Sequence, residues 1–286
     1  MTTNVRFERV TTACGAEVFG VDLRKEQPQE VIDTLKSGLL EHLVLFFRDQ
    51  EITPQDQIRF CEYFGPVKIS EFQPPSDDPA QRVPGITVID QGEQKYPFTD
   101  TWHTDHTFTP ETPLATCLHS LIVPSVGGDT CFANMYDAYD ALSPAMQEFL
   151  SGLTALHTSE NQLKFDGVVR PAVLPQAEHP VIVVHPETGR KVIFVNINYT
   201  QRILELTEEE SALVLKFLFD HVKQPQLQCR FKWTANAVTI WDNRALQHCA
   251  VYDYTERRLM HRSLVAGGQP RSVNAVPELA ALAKSQ

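Results

Sequence analysis

Short apolar runs dominate the chain and predict strands at Glu17–Leu23, Leu43–Phe47, Ile86–Ile89, Ala115–Val123, Val181–His185, Val192–Asn196, Gln228–Trp233, Ala237–Trp241 and Leu259–Val265. These runs are rich in Val, Ile, Phe and Thr, and Gly, Pro, Asn or Asp bounds them, which is the signature of β-structure. Pro186-Glu-Thr-Gly-Arg190 reads as a hairpin turn between two of them. Three segments change to the helical period. Pro28–Leu40 spaces Val31, Ile32, Leu35 and Leu39 on one face, and Pro54–Phe64 follows Thr53 as an N-cap. Thr207-Glu-Glu-Glu210 forms a capping box that opens Ser211–Val222. Many short strands, a few helices and no βαβ alternation predict an α+β chain, a jelly-roll or barrel core with flanking helices. Two irregular segments, 73–85 with four prolines and 159–178, read as loops long enough to act as lids over a site.

Composition narrows the class without naming it. The 286 residues are 42% hydrophobic and 21% charged, an ordinary globular mix that excludes collagen-like, coiled-coil and disordered readings. The net charge of −11 repels phosphate backbones, so no nucleic-acid partner is expected. The N-terminal stretch lacks the apolar centre of a signal peptide, and no apolar run reaches the roughly 18 residues of a membrane span. Six dispersed cysteines (14, 61, 117, 131, 229, 249) contain no Cys-x-x-Cys pair, which suits reduced thiols in a cytoplasm. No linker divides the chain, so 1–286 is expected to be one domain.

The densest chemical cluster is Asp100-Thr-Trp-His-Thr-Asp-His-Thr-Phe108. In an extended segment His103 and Asp105 share a face, and His106 takes the other. An imidazole and a carboxylate so placed are two parts of a 2-His-1-carboxylate site for Fe(II). His248, just after the apolar strand that ends in Asp242-Asn243, is the best third ligand. A lone His-x-Asp is commonplace, and the remaining histidines (42, 119, 157, 179, 185, 221, 261) read as surface or core residues; a pocket-lining role for His106 stays open. Eight residues past His248, Glu256-Arg-Arg-Leu-Met-His-Arg262 supplies a second signal. On a strand Arg258 and Arg262 share one face, and Arg258 can engage a carboxylate bidentately in the same cavity.

His103-x-Asp105, His248 and Arg258 together resemble the Fe(II)/2-oxoglutarate dioxygenases of the taurine dioxygenase (TauD/TfdA) family. The resemblance runs in order along nearly the whole chain. Its motifs are Gly15-Ala-Glu-Val-Phe-Gly-Val-Asp-Leu23, Phe47-Arg-Asp-Gln50, Ile52-Thr-Pro-Gln55, Phe64-Gly-Pro66 and Trp102-His-Thr-Asp105, then Pro124-Ser-Val-Gly-Gly-Asp-Thr130, His185-Pro-Glu-Thr-Gly189 and Trp241-Asp-Asn-Arg244. It implies a double-stranded β-helix core, with Fe(II) held by His103, Asp105 and His248, and 2-oxoglutarate held by Thr130 and Arg258. With O2, that constellation would hydroxylate a substrate and release succinate and CO2, sometimes with cleavage of a carbon–heteroatom bond afterwards. The intact Asp105 argues against the halogenase variant.

The resemblance also bears on substrate. Arg262 is similar to the family residue that binds the sulfonate of taurine, implying a small anionic substrate. Ser70 and Gln73 stand where taurine enzymes carry a His and a Tyr, and Leu163 aligns near the phenylalanine that closes their pocket. Another sulfonate, a sulfate ester or a carboxylate is therefore expected ahead of taurine itself. Lys68 and His106 offer further polar groups, while Trp102 and Phe108 are either pocket walls or plain core. Two rival classes remain: a zinc hydrolase on the same three ligands, which leaves Thr130 and Arg258 without purpose, and a non-catalytic jelly-roll binding protein. Homo-oligomerisation is expected from the resemblance alone.

Overall fold

In the computed structural model, which describes residues 4–69, 76–91, 100–160 and 173–275, the least polar strands lie at the centre of one large sheet. Its order is β1 (Arg6–Arg9), β2 (Ala16–Phe19), β3 (Val44–Phe47), β14 (Val238–Asp242), β6 (Ala115–Ile122), β16 (Arg258–Val265) and β4 (Val67–Lys68). β5 (Thr87–Gln91) pairs with the same edge of β16 as β4, further along the strand. Pairing is antiparallel except between β2 and β3. Three smaller sheets follow: β13 (Gln228–Phe231), β7 (Thr130–Asn134), β15 (Leu246–Ala250); β12 (Thr200–Ile203), β8 (Thr154–Thr158), β9 (Gln176–Pro180); and β11 (Lys191–Ile193), β10 (Ile182–Val184), β17 (Arg271–Ser272).

The central strands are buried on both faces, so their near-continuous apolar runs serve two cores. Leu45, Phe47, Cys117 and Ile240 point one way, against Leu35, Leu39, Phe60 and Cys61 of α1 (Gln29–His42) and α2 (Pro54–Glu62). Phe46, Trp241 and Met260 point the other way, toward Phe132 and Leu246 of the β13-β7-β15 sheet. Phe132 lies 5.8 Å from Phe46 and 5.5 Å from Trp241 between ring centroids, and Phe46 stacks on Phe231 at 4.1 Å. Two sheets facing across such a core, with helices outside one of them, are the expected α+β jelly-roll arrangement.

Helix boundaries follow their caps. Thr53 with Asp56, and Thr207 with Glu210, form reciprocal capping boxes that open α2 and α5 (Glu208–His221). Two short helices escape the apolar pattern, α3 (Met135–Asp140) and α4 (Pro144–Ser151), although the Asn134 and Ser143 side chains cap them. The strand expected over Glu17–Leu23 stops at Phe19, because Gly20 turns with φ +84° and a Cβ there would meet the Asn4 carbonyl at 2.2 Å. The expected loop 159–178 is also shorter than its composition implies: Gln176 already starts β9, which pairs with β8 from Thr158 onward. Within 73–85, Pro79–Arg82 forms a 3-10 turn capped by Asp78, and the stretch before residue 76 lies outside the described residues.

Candidate active site

The two halves of the site meet through backbone pairing. His103 and His248 form an isolated antiparallel bridge: the His103 N–H donates to the His248 carbonyl at 3.0 Å, and the His248 N–H returns at 2.8 Å. Residues that exchange both bonds sit directly opposite each other, so the two rings fall on one face with centroids 4.2 Å apart. The Thr104 hydroxyl donates to the Leu246 carbonyl and fixes the same register. The extended geometry expected of this segment ends there. Residues 105–108 form a turn, and His106 has a left-handed φ of +50°, so alternation no longer decides where its ring points.

Asp105 completes the cluster. Its Oδ1 lies 3.9 Å from His103 Nε2, its Oδ2 lies 3.9 Å from His248 Nε2, and all three side chains are buried. These separations exceed a hydrogen bond. The three groups therefore converge without pairing among themselves. His103 Nδ1 sits 2.7 Å from the Thr101 carbonyl, which places its proton on Nδ1 and leaves Nε2 with a free lone pair. Burial, then the neighbouring His103, push His248 down to about 3, and burial likewise lowers His103, so both imidazoles are neutral at pH 7. Burial works to raise Asp105, yet the charges around it hold it well below the usual carboxylate range. With the imidazoles neutral, Arg262 at 3.7 Å from Oδ1 is the standing cation responsible. Two neutral nitrogen donors and one anionic oxygen, pointed at a common space, fit a divalent first-row metal.

Arg258 opens β16, four residues before Arg262 on the same strand. It is 4% exposed, its Nε has no hydrogen-bond partner, and no carboxylate of the described residues lies within ion-pair reach. Burial pulls this guanidinium below its ordinary value, with Tyr254, Tyr252 and Asp129 opposing. The Trp233 ring lies 5.8 Å away, and Trp233 Nε1 donates to Thr130 Oγ1 at 3.0 Å. Because that oxygen already accepts, the Thr130 hydroxyl keeps its own proton to donate. A buried cation of this kind calls for an anion.

The sequence-derived residues thus divide in three. His103, Asp105, His248 and Arg262 are brought together, and Thr130 and Arg258 lie together beside Trp233. His106 is buried with an unpartnered Nε2, and Arg262, Asp105 and Lys68 are among the charges acting on it. Ser70, Gln73 and Leu163 lie outside the described residues. Phe108 is fully buried and packs on Tyr199, whose ring lies 6.2 Å from His103, while Trp102 is partly buried against the core between the sheets. One set was missed. Thr116 donates to Asp105 Oδ2 at 2.6 Å, Asn243 donates to Thr116, and Trp241 donates to Asn243. Asn243 and Trp241 sit inside a motif visible in the sequence; Thr116 is one threonine in an apolar strand and carries no signal.

With this geometry in hand, comparison with known proteins is informative. A sequence profile of the family described as "Taurine catabolism dioxygenase TauD, TfdA family" matches residues 6–264. The chain is 33% identical to an alkylsulfatase of Acinetobacter baylyi over 282 residues, covering 94% of this chain and 86% of that one. It is also 33% identical to an alpha-ketoglutarate-dependent sulfate ester dioxygenase of Pseudomonas putida, over 91% of this chain and 89% of the other. Among solved structures it is similar to a taurine dioxygenase from Burkholderia xenovorans, with TM-score 0.82, 30% identity, and coverage of 95% and 92%.

Proposed function

Starting from the fact that this chain belongs to the TauD/TfdA family, we propose that it is an Fe(II)- and 2-oxoglutarate-dependent dioxygenase that hydroxylates a small organic anion. The observation that carries the reading is the occurrence of two incomplete sites together. His103, Asp105 and His248 converge without satisfying one another, and Arg258 is a buried cation with no carboxylate partner among the described residues. A zinc hydrolase would use the first and leave the second unexplained.

When bound, Fe(II) supplies the redox chemistry that couples oxidative decarboxylation of 2-oxoglutarate by O2 to hydroxylation, releasing succinate and CO2. The chain's part is to bind and orient. His103 and His248 offer Nε2, and Asp105 offers Oδ1, since its Oδ2 is taken by Thr116. Arg258 and the Thr130 hydroxyl receive the far carboxylate of 2-oxoglutarate in charge-assisted hydrogen bonds. Arg262, beside Asp105, receives the anionic head of the substrate and so presents the neighbouring carbon to the metal face. We rank sulfate esters and sulfonates other than taurine first, with carboxylates next and taurine itself after them. For a sulfate ester, hydroxylation of the carbon bearing the ester oxygen gives an unstable hemiacetal that separates into aldehyde and sulfate. We further read residues 1–286 as one catalytic domain acting in the cytoplasm, in support of which the cysteines are unpaired. Among the described residues no helix is long and apolar enough to cross a membrane.

The test is succinate release with Fe(II), ascorbate and 2-oxoglutarate over alkyl sulfates, alkyl sulfonates, aryloxy acids and amino acids. One anionic class is expected to raise succinate several-fold over the substrate-free rate. Full activity with Zn(II) and no succinate in any arm would overturn the reading.

A further inference from the structure

Among the described residues the Asp105 side chain has one close hydrogen-bond partner, and that partner is itself held from behind. Thr116 Oγ1 donates to Asp105 Oδ2 at 2.6 Å, Asn243 Nδ2 donates to Thr116 Oγ1 at 2.7 Å, and Trp241 Nε1 donates to Asn243 Oδ1 at 3.0 Å. All four side chains are buried: Thr116 is 0% exposed, and Trp241 and Asn243 are 1% exposed. The direction of each bond follows from chemistry. An indole N–H can only donate, so Asn243 must turn its oxygen to Trp241 and its amide nitrogen to Thr116. A hydroxyl that receives the amide proton must send its own proton onward, and the onward atom is Asp105 Oδ2. The chain of donors therefore has one polarity, from indole to carboxylate.

We propose that Trp241, Asn243 and Thr116 form a positioning relay that fixes Asp105 as a one-oxygen metal ligand. It holds Oδ2 and the carboxylate plane while leaving Oδ1 to the metal. The register of the large sheet makes this arrangement: Trp241 pairs directly with Thr116 across β14 and β6, and the Asn243 N–H bonds the Leu114 carbonyl just beyond. The relay thus ties the ligand to the two innermost strands rather than to the turn that carries it. The carboxylate's anchor thus lies outside the 105–108 turn that carries it, in which the following residue, His106, sits at φ +50°.

This inference rests on the metal reading above, and its test separates the two. Co(II) is titrated into metal-free protein, reading the dissociation constant by calorimetry and the d–d absorption bands as a report of ligand geometry. Thr116→Val keeps the shape and branching but removes the hydroxyl; Thr116→Ser keeps the hydroxyl. Loss of an outer hydrogen-bond partner typically weakens metal binding about 10–100-fold, so Thr116→Val is expected to lose about tenfold or more and to shift the bands. Thr116→Ser is expected to recover both. Asn243→Leu is expected to weaken binding in the Thr116 background and to add little in the Thr116→Val background, since its effect passes through the hydroxyl. A Thr116→Val protein that binds Co(II) within twofold of wild type, with unchanged bands, would overturn the relay even if its melting temperature falls. A wild-type protein that binds no Co(II) would instead overturn the metal reading itself.

Discussion

Asp105 and Asp242 are both buried, and each stands beside histidine and arginine, yet they are completed to different degrees. Asp242 takes two guanidinium bonds from Arg244 at 2.9 and 2.6 Å, plus His185 Nε2 at 3.1 Å, and Arg244 reaches on to Glu187. His185 is in turn capped on Nδ1 by the Glu187 and Thr188 N–H groups. Around Asp105 the two imidazoles stand at 3.9 Å and the guanidinium at 3.7 Å, all beyond bonding distance. The first is a closed ion network that braces the 242–245 turn. The second is the same chemistry held open by about one ångström, the spacing a bound cation would close. Distance, rather than residue type, separates a structural carboxylate from a functional one.

That contrast can be broken experimentally, and the largest effect is expected at the open site. Asp105→Ala is expected to abolish metal binding, exceeding the ~100-fold that loss of an outer partner costs, while changing metal-free stability less than Asp242→Ala does. Metal titration beside urea unfolding checks both halves. Asp242→Ala is expected to lose about 3–5 kcal/mol of stability, because it leaves the buried His185 without its carboxylate and takes from Arg244 two of its three side-chain bonds to carboxylates. Equal stability losses for the two variants would erase the distinction. Next comes Arg258→Ala, expected to raise the 2-oxoglutarate requirement by roughly 10–150-fold, the equivalent of about 1.5–3 kcal/mol for a charge-assisted pair. The half-saturating 2-oxoglutarate concentration for succinate release measures it, and an unchanged value would remove Arg258 from the site.

The smallest effect is spread over pH and distinguishes the two kinds of buried group. Burial, aided by His261, lowers His119 to about 4, and burial also depresses His157 and His179. A depressed imidazole is protonated first in the unfolded chain, so its contribution is whole above the ordinary 6.5 and declines as pH falls toward 4. Asp242 loses its contribution in the same direction but at lower pH. Burial would raise it, but Arg244 and His185 hold it near 2, so its contribution persists until pH drops below the ordinary 3.8. Unfolding midpoints are expected to fall in two stages, and Asp242→Asn is expected to shrink only the lower one, to which Asp105 also contributes. A profile flat down to pH 4 would contradict the assignment of the first stage.

Much of this was legible in the chain, for identifiable reasons. The central strands are buried on both faces, so their apolar runs announce themselves, and Thr53 and Thr207 mark their helices through side chains a few residues away. The His103, Asp105 and His248 cluster was legible because two of its members sit two residues apart and the third follows an apolar strand. What escaped is what depends on partners distant in sequence. Thr116 matters only because β14 lies beside β6, and alternation could not place His106 because a turn replaced a strand. The short helices α3 and α4 bury too few residues to display a period, leaving only their caps as a signal.

The mutual backbone bonds between His103 and His248 have a kinetic corollary. They close the long loop between the two histidines as ordinary sheet pairing, through bonds in which no ion takes part. An arriving metal therefore meets donors already assembled, and a departing one leaves no chain to come apart. On the metal reading the ion is a passenger on this fold rather than its staple, so a chelator is expected to leave the protein folded and able to be reloaded.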